Sequence, residues 1–356
     1  MDSGKPLDQA LIFRTWLPLA ASWLLMGLEI PMVCATLTKL AEPDIHTGAY
    51  GMIFGMALVI ESPVIMLLTA STALSRDWNS YHKLWRLMTW LSLALTLIHT
   101  AIAFTPLYDW IVTQIIKAPE DIIEPGRIGM QIMTPWTWAI AHRRFHQGVL
   151  IRFGHAETVG WGTGVRLVTD AILLGIGVWL QKYAGIVVAA TAVATGVIAE
   201  AIYIRLKVQK ILHGQLKEAE GPAITMREVI MFYLPIAFAP TIGLLGQPIL
   251  TGGLSQLKLP TLTLAVWPAI NSLIFILRSA GIAFTEVVVA LMDKPDGPRQ
   301  LRRFVIWLSI GLSVPIPLLC ATPLIDVWLI DVIGLRPELA EMGKACLLFA
   351  ILMPAV

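Results

Sequence analysis

Charge is scarce in this sequence. Asp, Glu, Lys and Arg make up only 14% of its 356 residues, and the net charge is +2. Soluble domains carry roughly 25% charged residues. So small a net charge suggests no nucleic-acid partner. Cysteine is nearly missing as well. Cys34, Cys320 and Cys346 form no CxxC pair and sit in apolar runs, as small packing residues do. No HExxH, paired-His cluster or nucleophile elbow appears, so nothing points to an enzyme, a metal centre or a bound cofactor. The stretch GWGTGVR at 160–166 lacks the Gly-Lys-Ser/Thr ending of a phosphate loop and leads into an apolar run, which reads as helix packing.

What is abundant is apolar length. Hydrophobic residues make up 56% of the chain, more than one aqueous core could hide. A membrane crossing needs about 20 apolar residues. Ten segments qualify, near 12–37, 48–74, 87–107, 126–148, 164–181, 184–206, 229–254, 262–291, 304–325 and 339–356. The fourth is the weakest, because AHRRFHQG at its end is strongly polar. The first follows the polar stretch MDSGKPLDQA and is too long for a signal-peptide core. With the N-terminus in the cytoplasm, eighteen of the 26 Lys and Arg fall on that side and seven on the other. Arg278 is left inside a span. That asymmetry matches the positive-inside rule.

The chain also repeats itself. WLPLAASWLLMGLEIP at 16–31 returns as YLPIAFAPTIGLLGQP at 233–248, a shift of 217 from Pro31 to Pro248. The same shift carries Leu84 to Leu301 and Arg86 to Arg303. It also carries WLS at 90–92 to 307–309, TPL at 105–107 to 322–324, and Asp109 to Asp326. Chance likeness among apolar helices would not hold one register across separate spans and loops. The unit holds six spans, an even number, so both copies face the same way. Parallel repeats of this kind are a transporter architecture. The expected organisation is an N-terminal six-helix lobe at 1–206, a cytoplasmic linker at 207–228 and a C-terminal lobe at 229–356. The second copy stops after about four helices, so the expectation is a fragment of a twelve-span protein. The fold class is an all-α polytopic membrane protein of two parallel six-helix repeats, the second truncated.

Two halves that each open on a Leu-Pro helix resemble the multidrug/oligosaccharidyl-lipid/polysaccharide (MOP) exporter superfamily, which includes the MATE antiporters and lipid-linked flippases. RRFHQGVLIRFG at 143–154 is similar to a cytoplasmic loop of MATE-like proteins. FYLPIAFAPTIGLLGQPIL and LIDVIGLRPELAEMGKACLLFAILMPAV resemble the seventh helix and tenth-helix region of the progressive ankylosis family. The resemblance implies two bundles in a V, with helices 1, 2, 7 and 8 lining a cleft. It implies alternating access coupled to Na⁺ or H⁺. The ankylosis branch further implies export of anions such as citrate, nucleotide or pyrophosphate.

Charges inside spans are costly and so mark candidate sites, at roughly 2.5–3.5 kcal/mol each on insertion scales. Glu61 and Arg278 lie midway along spans 2 and 8 and occupy equivalent positions in the two copies. They read either as a substrate or coupling-ion site or as a structural ion pair. Glu286, about two turns beyond Arg278, is a second cleft carboxylate or a snorkelling one. Glu29 precedes the Pro31 kink, where a carboxylate beside a freed carbonyl could hold Na⁺ or a proton. Gln247 follows Gly246, the counterpart of Glu29 in the second copy. Asn271 extends the Arg278 stripe or ties helices together. His99 reads as a hydrogen-bonded packing histidine or a proton relay. Arg143, Arg144 and Arg152 read as anchors for anionic head groups.

The expected function is a secondary active transporter exporting a small organic or anionic solute, ion-coupled, without a cofactor. A flippase would need a larger and more cationic cleft, for which one intramembrane Arg is thin support. A non-transporting membrane scaffold is disfavoured by the buried charges. The expected setting is a bacterial inner (plasma) membrane. The expected partners are lipid and a small-molecule substrate, with no nucleic acid, and the protein is expected to be a monomer.

Overall fold

The structure, a computed structural model, describes residues 7–349 apart from 220, 222–223 and 293. It does not describe some further side chains, those of Gln247 and Glu286 among them. The described chain is helical throughout. Span 1 is α1 (Gln9–Gly27) with α2 (Glu29–Leu37), and span 2 is α3 (Pro43–Ile65) with α4 (Leu67–Leu74). Span 3 is α5 (Trp78–Phe104). A short α6 (Leu107–Trp110) and the π-helical turn Ile111–Ile116 lead to α7 (Glu120–Ile132) and α8 (Thr134–Arg152). Then come α9 (Ala156–Leu180), α10 (Gly185–His213), α11 (Gln215–Glu218), α12 (Met226–Leu244), α13 (Gly246–Leu254) and α14 (Pro260–Leu291). After these follow α15 (Gly297–Ser313), α16 (Pro315–Cys320), α17 (Leu324–Asp326), the π-helical turn Val327–Val332 and α18 (Pro337–Phe349).

Among the described residues, eight helices or helix pairs are long and apolar enough to cross a membrane, making this an integral membrane protein. They carry exposed apolar side chains that suit lipid, such as Trp90, Trp161, Trp179 and Ile249. The fourth expected span is not one of them, and the tenth, 339–356, runs beyond the described residues. The chain there breaks at Met133 between α7 and α8. Helix α8 is shielded by α3, α4, α5, α9 and α10, so its polar residues meet protein rather than lipid.

Packing divides the chain into two compact units, Leu40–Ala265 and the described parts of Met1–Lys39 with Val266–Val356. The division runs across the repeat: each unit joins the first span of one copy to the second span of the other. Within Leu40–Ala265, the core is built around Tyr50, Ile53, Leu84, Met88, Ile122 and Phe145. Helices α4 and α8 approach so closely that a Cβ at Gly148 would stand 2.4 Å from the Leu68 carbonyl oxygen. In the other unit, Leu7, Ile12, Phe284, Val287, Leu291 and Leu301 form a core, joined by Trp16 and Phe304. The Phe304 ring stacks on Phe284 at 5.4 Å and meets Trp16 edge-on at 5.8 Å.

The repeat is written into the contacts as well as the letters. Span 1 breaks at Leu28 and span 7 at Leu245, positions one shift apart. Each lies three residues before a proline, Pro31 or Pro248. A proline has no N–H for the carbonyl four residues back and its ring crowds that carbonyl, which breaks the helix there. The Trp16 indole N–H donates to the Ala280 carbonyl at 2.8 Å, and the Tyr233 hydroxyl donates to the Pro63 carbonyl. Ser62 donates to the Val59 carbonyl at 2.8 Å, as Ser279 does to Ile276 at 2.6 Å. Both π-helical turns close with a matched bond, Ala118 N–H to Val112 O and Leu335 N–H to Leu329 O, each at 2.9 Å. The residue before each donor has positive φ, Lys117 at 55° and Gly334 at 84°. Arg127 pairs with Asp109 and Glu124, and Lys344 pairs with Asp326 and Glu341. All these pairs are related by the one shift of 217.

Candidate functional site

Glu61 lies in α3, in the unit Leu40–Ala265, and is fully buried. Its Oε1 sits 3.1 Å from the Thr137 hydroxyl on α8. That hydroxyl is 2.9 Å from Nδ1 of His99 on α5, and His99 Nε2 is 3.1 Å from the Met130 carbonyl on α7. All three side chains are completely buried. Their helices meet because α5 and α8 both pack on α3, and the capping box of Asp77 and Ser80 fixes the start of α5. His99 is thus a hydrogen-bonded histidine inside the bundle. The next residue, Ser62, joins Thr241 of α12 at 3.0 Å, which ties span 2 to span 7.

Arg278, the equivalent of Glu61 in the second copy, lies half-buried in α14 within the other unit. Asn271, seven residues earlier on the same helix, is also half-buried. Glu29 is buried in the first turn of α2, directly after the Leu28 break. A carboxylate there complements the positive helix N-terminus. The side chains of Gln247 and Glu286 lie outside the described residues.

A second buried charge cluster escaped the sequence reading. Arg143 on α8 is 3% exposed and pairs with Glu200 of α10, which is 0% exposed. Gln147 donates to the other Glu200 oxygen at 2.9 Å, and Arg166 of α9 stands 3.8 Å away. Arg143 is therefore no head-group anchor: it faces inward because α8 is enclosed. The signal was present in the spacing, since Arg143 and Gln147 are four apart and share a face. Arg152 instead bonds the Thr72 and Ala73 carbonyls at 2.9 and 3.1 Å, closing the end of α4. Burial, and then the nearby Arg76, pull its guanidinium below the usual value. The stretch 160–166 is the interior of α9, a packed helix and not a phosphate loop.

No family profile matches the chain, and no curated protein does. Solved structures do. One is the inward-facing conformation of a multidrug resistance MATE family transporter of the MOP superfamily, at 13% identity and TM-score 0.67. It covers 94% of this chain and 79% of its own. The outward-facing conformation of such a transporter matches at 14% and 0.65, covering 98% and 83%. A MATE in complex with MaD5 matches at 13% and 0.68, with the same coverage. The fold is the MATE fold. Two copies of one helix pattern, with the breaks at Leu28 and Leu245, sit within it.

Proposed function

We propose that this chain is a secondary active transporter that exports a small organic or anionic solute by alternating access, coupled to Na⁺ or H⁺. The observation that carries this reading is the MATE fold over nearly the whole chain. That fold is known in inward- and outward-facing forms, which alternating access requires. The contacts duplicated within each copy, Arg127 with Asp109 and Glu124 and Lys344 with Asp326 and Glu341, support it, because parallel repeats braced alike are a transporter architecture. In this reading the lobes are 1–206 and 229–356, joined by the cytoplasmic linker 207–228, with the N-terminus inside. Glu61, Arg278, Glu29, Asn271, Gln247 and Glu286 are the candidate ligands. The likeness of 232–250 and 329–356 to the progressive ankylosis family favours an anionic solute, for which Arg278 offers a planar donor fork.

The test is uptake by proteoliposomes holding the purified chain. Organic cations, citrate, ATP and pyrophosphate are each offered under a Na⁺ or a proton gradient. Gradient-stimulated flux of one class is expected. Flux that no gradient changes, for every solute, refutes ion coupling. The absence of any flux from folded protein refutes the transporter.

A further inference from the structure

We propose that Glu61, Thr137 and His99 form a proton-binding relay, holding one exchangeable proton as a unit and passing it between carboxyl and imidazole. As a coupling device the relay rests on the transport reading above; as a proton site it stands on geometry alone.

The argument is a count of hydrogens. The Met130 carbonyl can only accept, so the His99 Nε2 at 3.1 Å carries a hydrogen. Thr137 has one hydroxyl hydrogen but two neighbours, Glu61 Oε1 at 3.1 Å and His99 Nδ1 at 2.9 Å. Two arrangements satisfy every contact. In one, a neutral Glu61 carboxyl donates to Thr137 Oγ, and Thr137 donates to a neutral imidazole at Nδ1. In the other, Thr137 donates to a Glu61 carboxylate and an imidazolium Nδ1–H donates to Thr137 Oγ. They hold the same number of protons. To convert the first to the second, the Glu61 O–H bond breaks as a new bond forms to Thr137 Oγ. The hydrogen Thr137 held passes to Nδ1. A carboxylate facing a neutral imidazole fails, since the single Thr137 hydrogen serves one neighbour and leaves the other opposed by a lone pair. Loss of the proton therefore breaks a buried hydrogen bond, which couples protonation to the packing of α3, α5 and α8.

The surroundings favour the neutral arrangement at rest. Oε2 of Glu61 is buried with no hydrogen-bond partner among the described residues, which a carboxyl tolerates better than a carboxylate. The charged groups that bear on Glu61 are Arg143 and Arg144, further along α8. Arg143 is engaged by Glu200 of α10. From α12 the facing groups are Tyr233, bonded to the Pro63 carbonyl, and Thr241, bonded to Ser62. From α5 the facing group is His99 itself, and α7 contributes the Met130 carbonyl.

The test is infrared and ¹⁵N-histidine spectroscopy of the purified full chain across the neutral pH range. A protonated-carboxyl band is expected that E61Q removes, together with a change in the His99 Nδ1 resonance at the same pH, as that nitrogen loses the Thr137 hydrogen. T137V, which lacks the hydroxyl, should split this single transition into two, and T137S should restore it. E61Q can donate to Thr137 as the carboxyl does, so it should remain folded. Absence of a band sensitive to E61Q overturns the relay, and so does a common transition that survives T137V. Proteoliposome flux tests the coupling separately. Whatever flux E61Q supports should no longer depend on a proton gradient. A confirmed band with unaltered gradient dependence leaves the proton site in place and removes proton coupling from the function.

Discussion

The Trp16 indole donates to the Ala280 carbonyl, and 217 residues along from Trp16 the Tyr233 hydroxyl donates to the carbonyl of Pro63, the counterpart of Ala280. Each copy of the repeat thus reaches from its first span to the second span of the other copy with the same kind of bond. The aromatic differs, indole in one case and phenol in the other, so the geometry was kept while the donor changed.

Tyr233→Phe should cost about 1 kcal/mol, because it removes the donor and keeps the ring. Trp16→Phe should cost more, because it also removes ring surface packed on the core beside Phe304. The pairs share no partner, so the double variant should lose the sum. Thermal unfolding in detergent reads this. A double variant much worse than the sum would mean that the two seams form one cooperative element.

Arg143→Met should be among the most damaging single changes in the chain, at about 3–5 kcal/mol. It leaves the buried Glu200 with Gln147 and a more distant Arg166. Adding Glu200→Gln should recover part of the loss, since the uncompensated charge is then gone. The yield of folded protein and its melting temperature measure both. A harmless Arg143→Met would show that the cluster is open to water.

Lys117 and Gly334 occupy the same left-handed turn, one in each copy. Only glycine takes that conformation without steric cost. Lys117→Gly should be neutral or stabilising by up to about 1 kcal/mol. Gly334→Ala should destabilise, because its Cβ would stand 2.6 Å from Thr38 Oγ as well as being strained. Opposite signs for the two substitutions in a thermal melt would confirm the matched turn.

Glu61 and Arg278 share one position of the repeat but not one charge. Arg278→Ala should abolish binding of an anionic solute while the protein remains in the membrane, and Arg278→Lys should restore it poorly, lacking the planar fork. A double Glu61→Gln, Arg278→Gln variant that transports at the wild-type rate would remove both residues from the substrate path.

The apolar spans, the repeat and the helix breaks were legible in the sequence because each depends on local chemistry. A run of twenty apolar residues has few alternatives to crossing lipid. A proline removes its own N–H bond wherever its helix packs. Pro31 and Pro248 lie three residues after the breaks at Leu28 and Leu245, although Pro63, Pro235, Pro240 and Pro268 lie inside continuous helices. The identity of letters at a constant shift needed no coordinates at all. What only the tertiary structure decided is which polar side chains meet. Arg143 looked like a surface anchor because hydropathy treats α8 as if lipid or water surrounded it, whereas five other helices do. The approach of Glu61, Thr137 and His99 joins residues 38 and 76 positions apart. That contact depends on how three helices rotate against one another, and no spacing within a single helix encodes it.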